Sequence, residues 1–115
     1  MKGTVVFDFD GVIHSYTSGW KGVDMIPDPP VPGIKEVIKE LRSTGYRVVV
    51  QSSRASALYG VSAIEDYLKE HDIVVDDITH EKPPAIAYID DRAICFDGHP
   101  ETLIEKIINF KPWNQ

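Results

Sequence analysis

Two short β-branched runs constrain this chain most. Thr4-Val5-Val6-Phe7-Asp8-Phe9 stops at Asp10-Gly11, and Tyr46-Arg47-Val48-Val49-Val50-Gln51 stops at Ser52-Ser53. Consecutive apolar positions suit strands buried on both faces, whereas an alternating pattern would leave one face wet. Between them, Ile34, Val37, Ile38 and Leu41 recur at helical spacing ahead of Gly45, which predicts a helix over residues 32–45. A second helix is expected over residues 55–70, with Leu58, Val61, Ile64 and Leu68 on its apolar face and Gly60 as a blemish. Short strands are expected at residues 73–75, 85–89 and 93–96. A closing helix over residues 100–110 should turn Leu103, Ile104, Ile107 and Ile108 inward. Residues 12–31 hold Gly19, Gly22, Pro27, Pro29 and Pro30, which break both periodicities. Strands alternating with helices predict an α/β fold: a three-layer, Rossmann-like open sheet, mostly parallel, with helices on both faces. Its 115 residues fit one domain.

Composition removes several function classes. A net charge of −6 disfavours the broad basic face that nucleic-acid backbones require. No uncharged apolar run approaches a membrane span. The start, Met1-Lys2-Gly3-Thr4, lacks the apolar stretch of a signal peptide, and the lone Cys95 cannot form an intramolecular disulfide. A cytoplasmic protein is expected. Cys95 reads as a small buried hydrophobe.

In an open α/β sheet, ligands bind beyond the carboxyl ends of the strands. The first strand ends in Asp8-Phe9-Asp10, the second in Ser52-Ser53-Arg54, and the strand at 85–89 in Asp90-Asp91-Arg92, with Lys82 in the loop before it. Four carboxylates at one edge cannot all stay ionised without a cation, because like charges drive pKa values up. A hard divalent ion such as Mg2+ resolves this through carboxylate oxygens. An ionised carboxylate needs no base to act as a nucleophile on phosphorus. A metal and Lys82 would offset the repulsion of a phosphate dianion, and a second carboxyl group two residues on can move protons to the leaving alcohol and from water.

These segments resemble the four motifs of the haloacid dehalogenase (HAD) superfamily of phosphotransferases. Asp8-Phe9-Asp10-Gly11 is similar to the first, Val48-Val49-Val50-Gln51 with Ser52 to the second, Lys82-Pro83 to the third, and Tyr88-Ile89-Asp90-Asp91 to the fourth. The resemblance implies Asp8 as nucleophile and Asp10 as general acid/base. It implies phosphate binding by Ser52, with Ser53 beside it, and by Lys82. It implies Mg2+ held by Asp8, the Asp10 carbonyl and the Asp90–Asp91 pair, Asp91 being favoured as the direct ligand. Val12 and Gln51 depart from the pattern without removing a catalytic group. The implied activity is phosphomonoester hydrolysis through an aspartyl-phosphate. The alternatives are a weakly catalytic domain that binds a phosphorylated ligand or partner, and phosphotransfer to an acceptor other than water. A receiver-like domain uses similar groups in a different order, and no G-x-x-x-x-G-K-[ST] loop occurs.

In this resemblance residues 12–31 form a flap over the site, with no length for a cap domain. Substrate contacts are then expected from His14, Tyr16 and Trp20 on the flap and from Arg54 and Arg92 beside the motifs. A second copy of the chain acting as a lid would suit so open a site. The expected substrate is a phosphorylated small molecule or macromolecular end. Ile89-Asp90-Asp91-Arg92 also resembles the phosphatase half of phage-type polynucleotide kinases, so a nucleic-acid end is retained as a substrate. No histidine spacing suits zinc.

Overall fold

A computed structural model describes residues 1–115. Four parallel strands form one sheet in the order β3-β2-β1-β4, with β1 at Gly3–Asp8, β2 at Tyr46–Gln51, β3 at Asp77–Thr79 and β4 at Ala87–Ile89. Helix α1 is Ile34–Ser43, α2 is Gly60–Glu70 and α3 is Leu103–Ile108. The architecture is a Rossmann-like open α/β sheet.

The period-2 geometry of a strand sends Val5 and Phe7 to one face and Val6 to the other. Val5, Phe7, Val48 and Val50 join Ile38 of α1 and Ile64, Tyr67 and Leu68 of α2 in the core. Val6 and its register partner Val49 are also buried, outside that cluster. The two central strands are therefore covered on both sides, as their unbroken apolar runs require.

The second half of the chain departs from its periodicity. The run at 73–75 is not a strand: Ile73 is core, and pairing begins only at Asp77. The run at 93–96 pairs with nothing, so β4 is an edge strand, and Cys95 is exposed instead of buried. The expected helix at 55–70 is split. A 3₁₀ turn spans Ser53–Ser56, Tyr59 takes φ 66°, and α2 begins at Gly60. Leu58 is exposed, and the buried face runs through Ile64, Tyr67 and Leu68. Within the closing segment, Pro100–Thr102 is a 3₁₀ turn, and Ile104, Ile107 and Ile108 face solvent. Periodicity defines a stripe but does not say what the stripe meets.

Gly60 proves to be required. A Cβ at this position would collide with the Arg54 carbonyl oxygen. Gly60→Ala should therefore destabilise by about 1–3 kcal/mol through overpacking. An unobstructed helical Gly→Ala would instead gain up to about 1 kcal/mol. Urea unfolding decides between the two signs.

Candidate functional site

Strand register assembles the site. Phe7 pairs with Ile89, which sets Asp90 next to Asp8 at the carboxyl edge. Asp8 pairs with Gln51, so Ser52 stands one residue beyond it. Past β1 the chain folds tightly on itself, with the amides of Val12, Ile13 and His14 all donating to the Phe9 carbonyl. Gly11 takes φ +85°, and a Cβ on it would run into the Asp91 carboxylate. Only glycine allows both this turn and the close approach of Asp91.

The carboxylates of Asp8, Asp90 and Asp91 each offer an oxygen within 4.8 Å of the others. Burial, the contact with Asp91 and the charge of Asp90 push the Asp8 carboxyl up to about 8. Asp91 Oδ1 is buried without a hydrogen-bond partner. Asp90 Oδ1 accepts the Arg92 amide at 2.8 Å. Crowded oxygens and an orphaned buried acceptor are what a hard cation would relieve, so the donor set fits Mg2+.

Asp10 stands apart from this trio. Its Oδ1 accepts from His14 Nδ1 at 2.8 Å and from Arg54 Nη2 at 3.2 Å, and its Oδ2 accepts from Arg54 Nε at 2.8 Å. Burial pushes its pKa up, but these hydrogen bonds and charges outweigh burial and hold it below the usual carboxylate value.

The other expected residues divide. Ser52 is buried; its Oγ accepts from the Arg54 amide at 3.2 Å and caps the 3₁₀ turn, while Ser53 is exposed. The Lys82 ammonium lies over the Tyr88 ring, 4.5 Å from its centroid. His14 is fully buried and cannot touch a substrate. Arg54, 1% exposed, also fails as a substrate contact, because its remaining Nη1 donors go to the carbonyls of Gly22, Val23 and Met25. Trp20 covers the Arg54 guanidinium at 4.5 Å and so pins the flap, although it stays half exposed. Tyr16 lies edge-on to His14 at 5.8 Å, and Arg92 is exposed.

Three participants carried no sequence signal. Asp28 lies between prolines, yet its carboxylate accepts from the amide and hydroxyl of Ser18. The Tyr67 hydroxyl donates to the Asp28 carbonyl at 2.9 Å. Trp113 Nε1 donates to the Gly11 carbonyl at 2.7 Å, which ties the C-terminal segment to the turn after β1. Trp113 also walls a cavity of about 200 Å³ together with Val12, Val31, Asp90 and Asp91.

Fold and site together define an open parallel α/β domain with an acidic trio at its carboxyl edge. No family model and no curated protein matches the chain. Solved structures do. A conserved protein from Bacteroides thetaiotaomicron superposes with a TM-score of 0.60 at 25% identity, over 92% of this chain and 88% of that one. A crystallised target protein from Vibrio cholerae gives 0.55 at 20% identity, over 79% and 81%. A chain of the Pnkp1/Rnl/Hen1 RNA repair complex gives 0.56 at 19% identity, over 92% of this chain but 30% of its own length. These likenesses establish a shared fold. No helix is long and apolar enough to cross a membrane.

Proposed function

We propose that this protein is a HAD-like, Mg2+-dependent phosphomonoester hydrolase acting through an aspartyl-phosphate on Asp8. The observation that carries the reading is the clustered trio of Asp8, Asp90 and Asp91, in which Asp91 Oδ1 lacks a hydrogen-bond partner, with Asp10 two residues beyond Asp8. Asp8 and Asp91 would hold Mg2+, with Asp90 and the Asp10 carbonyl beside them. When bound, the ion supplies charge neutralisation at the phosphoryl oxygens.

The protein's own groups then act in two steps. An Asp8 carboxylate oxygen attacks phosphorus and the ester P–O bond breaks, while Asp10, ionised at rest, takes up a solvent proton and passes it to the leaving oxygen. Water next attacks the aspartyl-phosphate, Asp10 takes its proton, and the Asp8–phosphorus bond breaks to release inorganic phosphate. The Ser52 amide is committed to the Thr79 carbonyl, but the hydroxyl keeps a proton to donate to phosphate. Lys82 reaches the phosphate by leaving the Tyr88 ring. The substrate class is a phosphorylated small molecule or nucleic-acid end. The fold shared with a chain of an RNA repair complex supports including the latter.

The test is a panel of sugar phosphates, nucleotides and 3′- or 5′-phosphorylated nucleic-acid ends, with and without Mg2+, followed by acid quench and mapping of protein-bound phosphate. Turnover that a chelator silences, with phosphate on Asp8, is expected. Tight phosphate-ester binding with no phosphorylated Asp8 would instead establish the weakly catalytic binding domain.

A further inference from the structure

We infer that His14 is a positioning residue that aims Asp10, leaving a single carboxylate oxygen open for proton transfer. The inference deepens the phosphatase reading and rests on it.

The geometry is closed on every side. His14 Nε2 accepts the backbone N–H of Asp28 at 3.1 Å, so the ring proton sits on Nδ1, where it donates to Asp10 Oδ1 at 2.8 Å. The imidazole stacks on Phe9 at 5.8 Å and meets the edges of Tyr16 and Tyr67 at 5.8 and 5.5 Å. Asp28 cannot drift, because its carbonyl takes the Tyr67 hydroxyl and its carboxylate takes Ser18. A ring held this way fixes tautomer and direction together.

The consequence falls on Asp10. A carboxylate oxygen accepts about two hydrogen bonds. Oδ1 has two, from His14 and Arg54 Nη2, whereas Oδ2 has one, from Arg54 Nε. Oδ2 therefore keeps the open acceptor site, and the Asp10 side chain as a whole stays 21% exposed despite its buried partners. Water attacking the aspartyl-phosphate delivers its proton to Oδ2. Without His14, Oδ1 gains an open site as well and the carboxylate is held by Arg54 alone, so its aim loosens. A good leaving group needs no proton in the first step, so the loss appears in the second.

The experiment is rapid-quench kinetics with p-nitrophenyl phosphate and Mg2+, reading p-nitrophenolate release and phosphorylated Asp8 together. His14→Leu should keep the first-turnover rate within about threefold while steady-state turnover falls about 10–100-fold, within the range general acid–base catalysis supplies. Phosphorylated Asp8 should accumulate. His14→Asn, which retains a donor toward Asp10, should recover most of the turnover. Ser18→Ala, at an exposed position, removes one hydrogen bond to Asp28 and should show the same split on a scale of a few-fold. Equal loss of both phases, or no loss in any variant, overturns the assignment. Failure of the parent protein to phosphorylate Asp8 at all would bring down the phosphatase reading, and this inference with it.

Discussion

Asp8→Asn is expected to abolish turnover and, in the absence of metal, to raise the melting temperature. An amide oxygen cannot serve as the attacking nucleophile, so turnover should fall by a factor on the order of 10⁴ or more. The stability gain has a separate origin. Burial, Asp91 and Asp90 raise the Asp8 carboxyl from 3.8 to about 8. Between those two values the folded protein retains a proton that the unfolded chain has released. Stability therefore falls as pH rises from about 4 to about 8, and is lowest above that window. Asparagine carries no such charge and removes the slope. The gain at about pH 9 should be on the order of 2–3 kcal/mol once solvent screening is allowed for. Mg2+ should stabilise the parent at that pH, should also displace a proton when it binds below about pH 8, and should do far less for the variant. Melting curves at about pH 5 and about pH 9, with and without Mg2+, measure all of this. Parent-rate hydrolysis of p-nitrophenyl phosphate by the variant would end the mechanism, and a pH-independent melting difference would end the linkage argument.

The first half of the chain was readable because its strands are buried on both sides. Such strands must be apolar at consecutive positions, and each polar residue that ends a run then marks the sheet's carboxyl edge. The same rule, applied to the exposed edge strand β4, sets Asp90–Asp91 beside Asp8, and the Phe7–Ile89 register agrees. The edge strands were harder. β3 is Asp77-Ile78-Thr79, half-wet and polar, so the apolar run just before it attracted the strand assignment although its Ile73 belongs to the core. Helix α3 shows the opposite failure, an apolar stripe left in solvent. At the site, spacing identified His14 and Arg54 as near the chemistry but gave them the wrong neighbour. Arg54 meets Asp10 across 44 positions and the flap carbonyls across about 30, closures that no local pattern encodes. Asp28 and Trp113 are invisible for the same reason: the Asp28 backbone N–H meets His14 across 14 positions and the Trp113 indole meets the Gly11 carbonyl across 102.

Arg54→Met should be the most destabilising single substitution in the domain. The guanidinium is fully buried, forks onto Asp10 and holds the carbonyls of Gly22 and Val23 at 2.7 and 2.8 Å. Methionine fills part of the volume and satisfies none of these groups. Breaking a buried pair leaves an uncompensated charge and costs about 3–5 kcal/mol, against a total of about 5–15 kcal/mol for a domain. Arg54→Lys should not rescue it, because one ammonium cannot present the planar fork and reach the flap carbonyls at once. The loss should be pH-dependent in a direction opposite to that of Asp8. The depressed Asp10 carboxyl contributes stability above about 3.8 that is lost as pH falls through its lower folded value. The Arg54→Met penalty should therefore be full near neutrality and shrink in acid. Urea unfolding at about pH 7 and about pH 3 would show it. A variant within about 1 kcal/mol of the parent at neutral pH would mean that the flap is held by Trp113, Ser18 and Tyr67 without the arginine. Proteolysis of the variant should cut first within residues 19–26, because Arg54 is what ties the backbone there to Asp10.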